Sequence, residues 1–108
     1  MDNIDDRLGP IRKGLLEFAV LEVISARKVY VADILKKLNG TDFSTGEGTL
    51  YPLLSRLRRD KLVDYEWVES DAGPPRKYYR LTTAGTKQLK ALEAYWQELN
   101  TMMKKLGA

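Results

Sequence analysis

Between Ser44 and Val63 the chain sets four cations, Arg56, Arg58, Arg59 and Lys61, against one Glu and one Asp. Ahead of the arginines stand Thr45, Thr49, Tyr51 and Ser55, whose hydroxyls both donate and accept hydrogen bonds. Hydroxyl and guanidinium groups arranged this way engage phosphate oxygens and base edges. Such a cluster recognises a partner; it does not break bonds. Bond-making chemistry has few tools here. The 108 residues include no His and no Cys, which removes zinc fingers, thiol nucleophiles and imidazole bases together. The carboxylates and lysines that remain form no paired constellation. An enzyme is not expected, nor a metal or a cofactor.

A second basic set lies further on. Arg76 and Lys77 follow Pro74-Pro75 directly, with Arg80 behind them. A stiff loop bearing cations suits phosphate or minor-groove contact. Spacing alone leaves two readings open for each set: a DNA-facing surface, or a solvated helix face and a tightened turn. The net charge of +3 is compatible with nucleic acid without being diagnostic.

The elements that must hold these groups follow from periodicity. Apolar residues from Ile11 to Ala26 fall in two adjacent stripes, which predicts a helix packed on two neighbours, with Arg27 and Lys28 at its C-terminal end. Tyr30 to Leu38 predicts a second, shorter helix, stopped by Asn39-Gly40. Ser44 and Glu47 have the spacing of a capping box, opening a third helix that runs to about Asp60. There Leu50, Leu53, Leu54 and Leu57 share one face, while Thr45, Gly48, Pro52, Ser55, Arg56 and Arg59 take the other. Pro52 breaks the helix rule on that exposed face, where function is a common reason.

Leu62 to Val68 alternates like a strand, Ser70 to Pro75 reads as a turn, and Arg76 to Thr82 returns. Thr82 or Thr83 then caps a last helix reaching about Leu106. Its stripe holds Leu89, Leu92, Tyr95, Trp96, Leu99, Met102, Met103 and Leu106. A stripe that long exceeds what so small a domain can cover and asks for a partner helix. Met1 to Pro10 is acidic and reads as a short, partly ordered arm rather than a signal peptide. No apolar run approaches the roughly 20 residues that span a bilayer, so no membrane association is expected and the location is expected to be cytoplasmic.

Three helices, a hairpin and a long helix make a mainly α fold: a winged helix-turn-helix with one long C-terminal helix. The expected division is residues 1–82, a DNA-binding domain with its arm, and 83–108, a dimerisation helix with Leu89, Leu92, Trp96, Leu99, Met103 and Leu106 at the interface. In that fold the third helix enters the major groove.

The run Gly48-Thr49-Leu50-Tyr51-Pro52-Leu53-Leu54-Ser55-Arg56-Leu57, followed by Lys61-Leu62-Val63, closely resembles the recognition-helix signature of the PadR family. So does Arg76-Lys77-Tyr78-Tyr79-Arg80-Leu81-Thr82 with Thr83-Ala84-Gly85 behind it, and Gly14-Leu15-Leu16-Glu17 with Val20-Leu21 is similar to the family's first helix. The likeness spans about Arg12 to Leu99. Two departures stand out. The family often has Gly at the place of Lys61; Lys there keeps the turn plausible and argues that this site need not take a left-handed conformation. It commonly has Tyr-Gly where this chain has Tyr30-Val31.

The resemblance implies a homodimeric repressor of the short subfamily, with the last helix packed on the partner subunit. It implies an inverted-repeat operator on double-stranded DNA, contacted through Thr45, Thr49, Tyr51, Ser55, Arg56, Arg59, Arg76 and Lys77. It further implies a flat aromatic or drug-like effector at the dimer interface, near Trp96, Tyr95 and Met103 with Leu15 or Phe18 across from them. The alternatives are that Trp96 is dimer core, and that the winged helix binds protein instead of DNA.

Overall fold

The computed structural model describes residues 4–108. Four helices and three strands follow in the order α1 (Ile4–Ser25), β1 (Val29–Tyr30), α2 (Val31–Leu38), α3 (Glu47–Arg59), β2 (Val63–Ser70), β3 (Gly73–Leu81) and α4 (Thr83–Leu106). The architecture is mainly helical, with a small antiparallel sheet of order β1-β3-β2. It is a winged helix followed by one long helix, as the periodicity predicts.

The core gathers one face of each element. Val20, Leu21 and Ile24 of α1 meet Ile34 and Leu38 of α2, Leu50, Leu53, Leu54 and Leu57 of α3, and Val63 and Tyr79 of the sheet. The four α3 leucines all lie inside, which turns the rest of that helix outward. Among the described residues no polar or charged side chain is buried. The buried core is therefore apolar, and its burial is the dominant favourable term in folding.

Several boundaries differ from the sequence reading. Residues 1–3 of the expected arm lie outside the described residues, and from Ile4 the arm is already part of α1, which runs through Pro10. That helix ends at Ser25, so Arg27 and Lys28 lie beyond it, and the Lys28 ammonium instead donates to the Glu66 carboxylate. The two-residue strand β1 pairs Val29 with Tyr79 and Tyr30 with Tyr78. Two residues are too few to show a period, and Tyr30 reads as the start of α2. The Asp33 carboxylate accepts a hydrogen bond from the Tyr30 backbone N–H at 3.2 Å, starting α2 without a Ser or Thr cap. At the end of α2, Gly40 takes the left-handed conformation at φ 83°, as its position after Asn39 predicts.

The Ser44–Glu47 capping box does not form. Gly46 is the N-cap of α3 and supplies no side-chain bond; its carbonyl accepts from the N–H groups of Thr49 and Leu50. Glu47 sits in the first turn, where its charge suits the helix dipole. The hairpin is also longer than expected. The strands continue through most of the predicted turn, leaving only Asp71 and Ala72 between Ser70 and Gly73. Val68 pairs with Arg76 and Ser70 with Gly73, so Pro74 and Pro75 together oppose Glu69 in a bulge. A bulge on a stretch that β1 does not cover is a place where prolines can leave the ladder.

The first turns of α4 belong to the protomer's own core. The Thr82 hydroxyl accepts from the Gly85 N–H at 2.9 Å, capping the helix, and donates to the Lys61 carbonyl at 2.7 Å. Leu89 is only 5% exposed and Leu92 packs against the core. Both were expected on a dimer surface; Leu89 is instead buried within the protomer, because α1 and the sheet reach that far along α4, and Leu92 is partly covered there. The apolar residues left open are Tyr95, Trp96, Met102, Met103 and Leu106, with Leu99 half-buried.

Candidate nucleic-acid interface

With its leucines inward, α3 presents Gly48, Pro52, Ser55 and Arg59 to solvent. Thr49 and Arg56 flank that strip on the α1 side, Tyr51 and Arg58 on the side of the sheet. Ser55, Arg56 and Arg59 are all exposed, as are Thr49 and Tyr51. Thr45 precedes the helix and is half-buried, so it stands in the connecting loop and not on the helical face.

The three arginines diverge, since successive helical residues point about 100° apart. Arg58 turns to the sheet: its Nε lies 3.6 Å from Asp64 Oδ1, and its guanidinium covers the Tyr65 ring at 4.5 Å. Arg56 turns the other way, to Glu17 of α1, with Nη2 3.5 Å from Oε2. Arg59 makes no ion pair among the described residues. It is the cation that α3 leaves most available. Beside it Ser55, Arg58, Arg59, Lys61, Tyr65 and Lys77 line a cleft of about 550 Å³ between α3 and the wing.

The wing adds cations braced on aromatic rings. Lys77 Nζ lies 4.5 Å from the centre of the Tyr65 ring and 5.3 Å from that of Trp67. Arg76 covers Tyr30 at 4.8 Å, and Tyr30 meets Tyr78 edge-on at 5.3 Å. Such contacts fix the direction of a long cation while leaving its charge near solvent. On the outer sheet face Glu66 is held below its ordinary carboxylate value, first by the hydrogen bond from Lys28 and then by its charge.

One residue in this region was not singled out from the sequence. Trp67 is 62% exposed, standing between Tyr51 of α3 and Arg76 and Lys77 of the wing. In the sequence it is simply one of the alternating strand residues. Lys61, already counted among the cations of the sequence, takes φ 63°, although a lysine in place of glycine need not be left-handed there. The Leu62 N–H donates to the Leu57 carbonyl and the Lys61 N–H to that of Arg58, the pair of bonds that closes a helix around a left-handed residue. The backbone thus keeps the conformation that glycine favours and places the Lys61 ammonium at the cleft.

Leu15, Phe18 and Trp96 come together within one protomer. With Ala19, Val23 and Phe43 they line a largely apolar groove of about 360 Å³ between α1 and α4. Tyr95 and Met103 are outside that lining and exposed. Glu22 is at the rim. Burial, then the hydrogen bond to Glu93 and that group's charge, pushes its carboxyl from 4.5 up to about 6. Among the described residues no helix is long and apolar enough to cross a membrane.

Residues 20–91 match the description "Transcriptional regulator PadR-like family". The chain is similar in structure to a PadR-like transcription factor from Bacteroides fragilis, with 46% identity, a TM-score of 0.80, and coverage of 97% of this chain and 99% of that one. A PadR-like transcriptional regulator from Bacillus cereus is 38% identical at a TM-score of 0.77, covering 87% of this chain and 92% of that one. A PadR family regulator from Eggerthella lenta is 32% identical at 0.82, over 95% and 90%. Most of the chain, from the core of α1 to the middle of α4, carries the match, and the winged helix is what it shares. The chain belongs to the PadR-like family of transcriptional regulators, and it is not an enzyme.

Proposed function

We propose that the chain is a cytoplasmic homodimeric repressor that binds an inverted-repeat operator through α3 and the wing. The observation that carries this is the outward strip of Ser55 and Arg59 on α3, flanked by Tyr51, Thr49 and Arg56 and joined by Arg76 and Lys77 of the wing. Small residues at its start, Gly48 among them, let a backbone approach closely. The arginines supply the charge that releases counterions from duplex DNA. Thr45 contributes from the loop ahead of the helix.

Residues 1–82 form the DNA-binding part in this reading and 83–108 the dimerisation part. Two recognition helices related by a two-fold axis read an inverted repeat. The exposed Trp96, Met103 and Leu106, with half-buried Leu99 on the same stripe, support a partner helix, Leu106 being 80% exposed in the single chain. The groove at Trp96, Leu15 and Phe18 suits a flat aromatic effector whose binding releases DNA, with Tyr95 outside its lining. A mobility shift on the region upstream of its own coding sequence, run beside sedimentation of the same protein, tests the reading. A dimer that retards this duplex and releases an unrelated one supports it. A chain that retards neither overturns it.

A further inference from the structure

Two of the three arginines of the recognition helix are already engaged, Arg58 by Asp64 of the sheet and Arg56 by Glu17 of α1. Arg56 Nη2 lies 3.5 Å from Glu17 Oε2, across 39 residues of chain, with the two side chains 50% and 33% exposed. The contact is long and uses one guanidinium nitrogen, in a setting where an ion pair is weak. Arg59, one turn along, has no such partner among the described residues. A carboxylate beside a phosphate-facing arginine does two things. It neutralises that cation, and it repels any phosphate that approaches.

We infer that Glu17 is an internal competitor of DNA, holding Arg56 of the recognition helix in reserve. The inference rests on the DNA-binding reading and refines it: Arg59 meets the duplex directly, while Arg56 must first leave Glu17. The position of Glu17 gives the contact a second consequence. Leu15, Phe18, Ala19 and Glu22 of the same helix line the groove that Trp96 closes. Whatever seats in that groove bears on the helix that sets how much of Arg56 is free.

The test is a salt titration of binding to the chain's own upstream duplex, for wild type, Glu17→Gln, Arg56→Gln and the double variant. Glutamine keeps the shape of the glutamate, and a thermal melt confirms that each variant is folded. Glu17→Gln binds about 3- to 10-fold tighter at moderate salt, and its salt slope steepens by about 0.9, the value of one more phosphate contact. In the Arg56→Gln background the same change gives no gain. Unchanged or weaker binding by Glu17→Gln overturns the inference. So does an equal gain with Arg56 absent, since that is bulk charge and not competition for Arg56. A wild type that fails to bind duplex at any salt overturns the DNA-binding reading and this inference with it. Wild-type binding with a silent Glu17→Gln overturns the inference alone.

Discussion

The Leu62 carbonyl oxygen occupies the space beside Gly85: a β-carbon added to Gly85 would stand 1.9 Å from it. That carbonyl also accepts from the Thr82 N–H at 3.1 Å, while the Thr82 hydroxyl bonds Lys61 and Gly85. The end of α3, the start of the wing and the start of α4 are thus fastened at one point. The direction in which α4 leaves the winged helix is set there.

Gly85→Ala therefore forces backbone apart. Overpacking of this kind costs about 1–3 kcal/mol, occasionally more. Chemical denaturation is expected to show a lowered midpoint, with a change larger than Ala gives at the exposed helical site Gly48, where an added β-carbon meets nothing within 4 Å. A variant as stable as wild type would remove the fastening from the account.

Lys61→Gly is expected to stabilise. A left-handed non-glycine residue costs about 1–2 kcal/mol, offset in part by glycine's larger freedom in the unfolded chain, about 0.5–1 kcal/mol. The net gain is several tenths of a kcal/mol or slightly more, read as an upward shift in the melting temperature. The same variant loses a cation at the cleft and is expected to bind duplex more weakly.

The helices and the hairpin were legible because each has many residues in period. The rest was not, for reasons that belong to particular residues. Val29 and Tyr30 are too few to alternate. Pro74 and Pro75 spell a turn, yet a bulge absorbs them. Ser44 and Glu47 have capping-box spacing, but Gly46 lies between them and takes the cap. Periodicity puts Leu89 on a stripe without saying which neighbour covers it. At the candidate interface the outward face of α3 was readable from its leucines. The divergence of Arg56, Arg58 and Arg59 was not, because Glu17 and Asp64 are distant in sequence.

Acidity is expected to stabilise the α1–α4 contact through Glu22. Its carboxyl is raised from 4.5 to about 6, so between those values the folded chain holds more protons than the unfolded one. Stability from this group is full below about 4.5 and falls as the pH rises through about 6. Glu22→Gln should flatten that part of the profile and raise the melting temperature near pH 7. An unchanged profile would contradict the pairing of Glu22 with Glu93.

Leu99→Asp puts a charge at the half-buried centre of the α4 stripe. Sedimentation is expected to show a monomer with the winged helix still folded by circular dichroism. A variant that sediments as a dimer would remove α4 as the seat of self-association.

The arginines should rank by their partners. Arg59→Ala is expected to weaken duplex binding more than Arg56→Ala, and each with little loss of stability, since both side chains are exposed. Equal losses would show that Glu17 leaves Arg56 as available as Arg59.

The most direct measurement of the central claim, that the outward strip of α3 meets the duplex, uses the absence of native cysteine. Ser55→Cys provides a single thiol on that strip, and Thr101→Cys a single thiol on the exposed far half of α4. Alkylation of each is followed with and without the chain's own upstream duplex, at a salt concentration where binding is complete. Protection of the thiol at position 55 with no change at 101 is the predicted result. A thiol at position 55 that reacts equally fast in the bound state would place the DNA elsewhere and contradict the account.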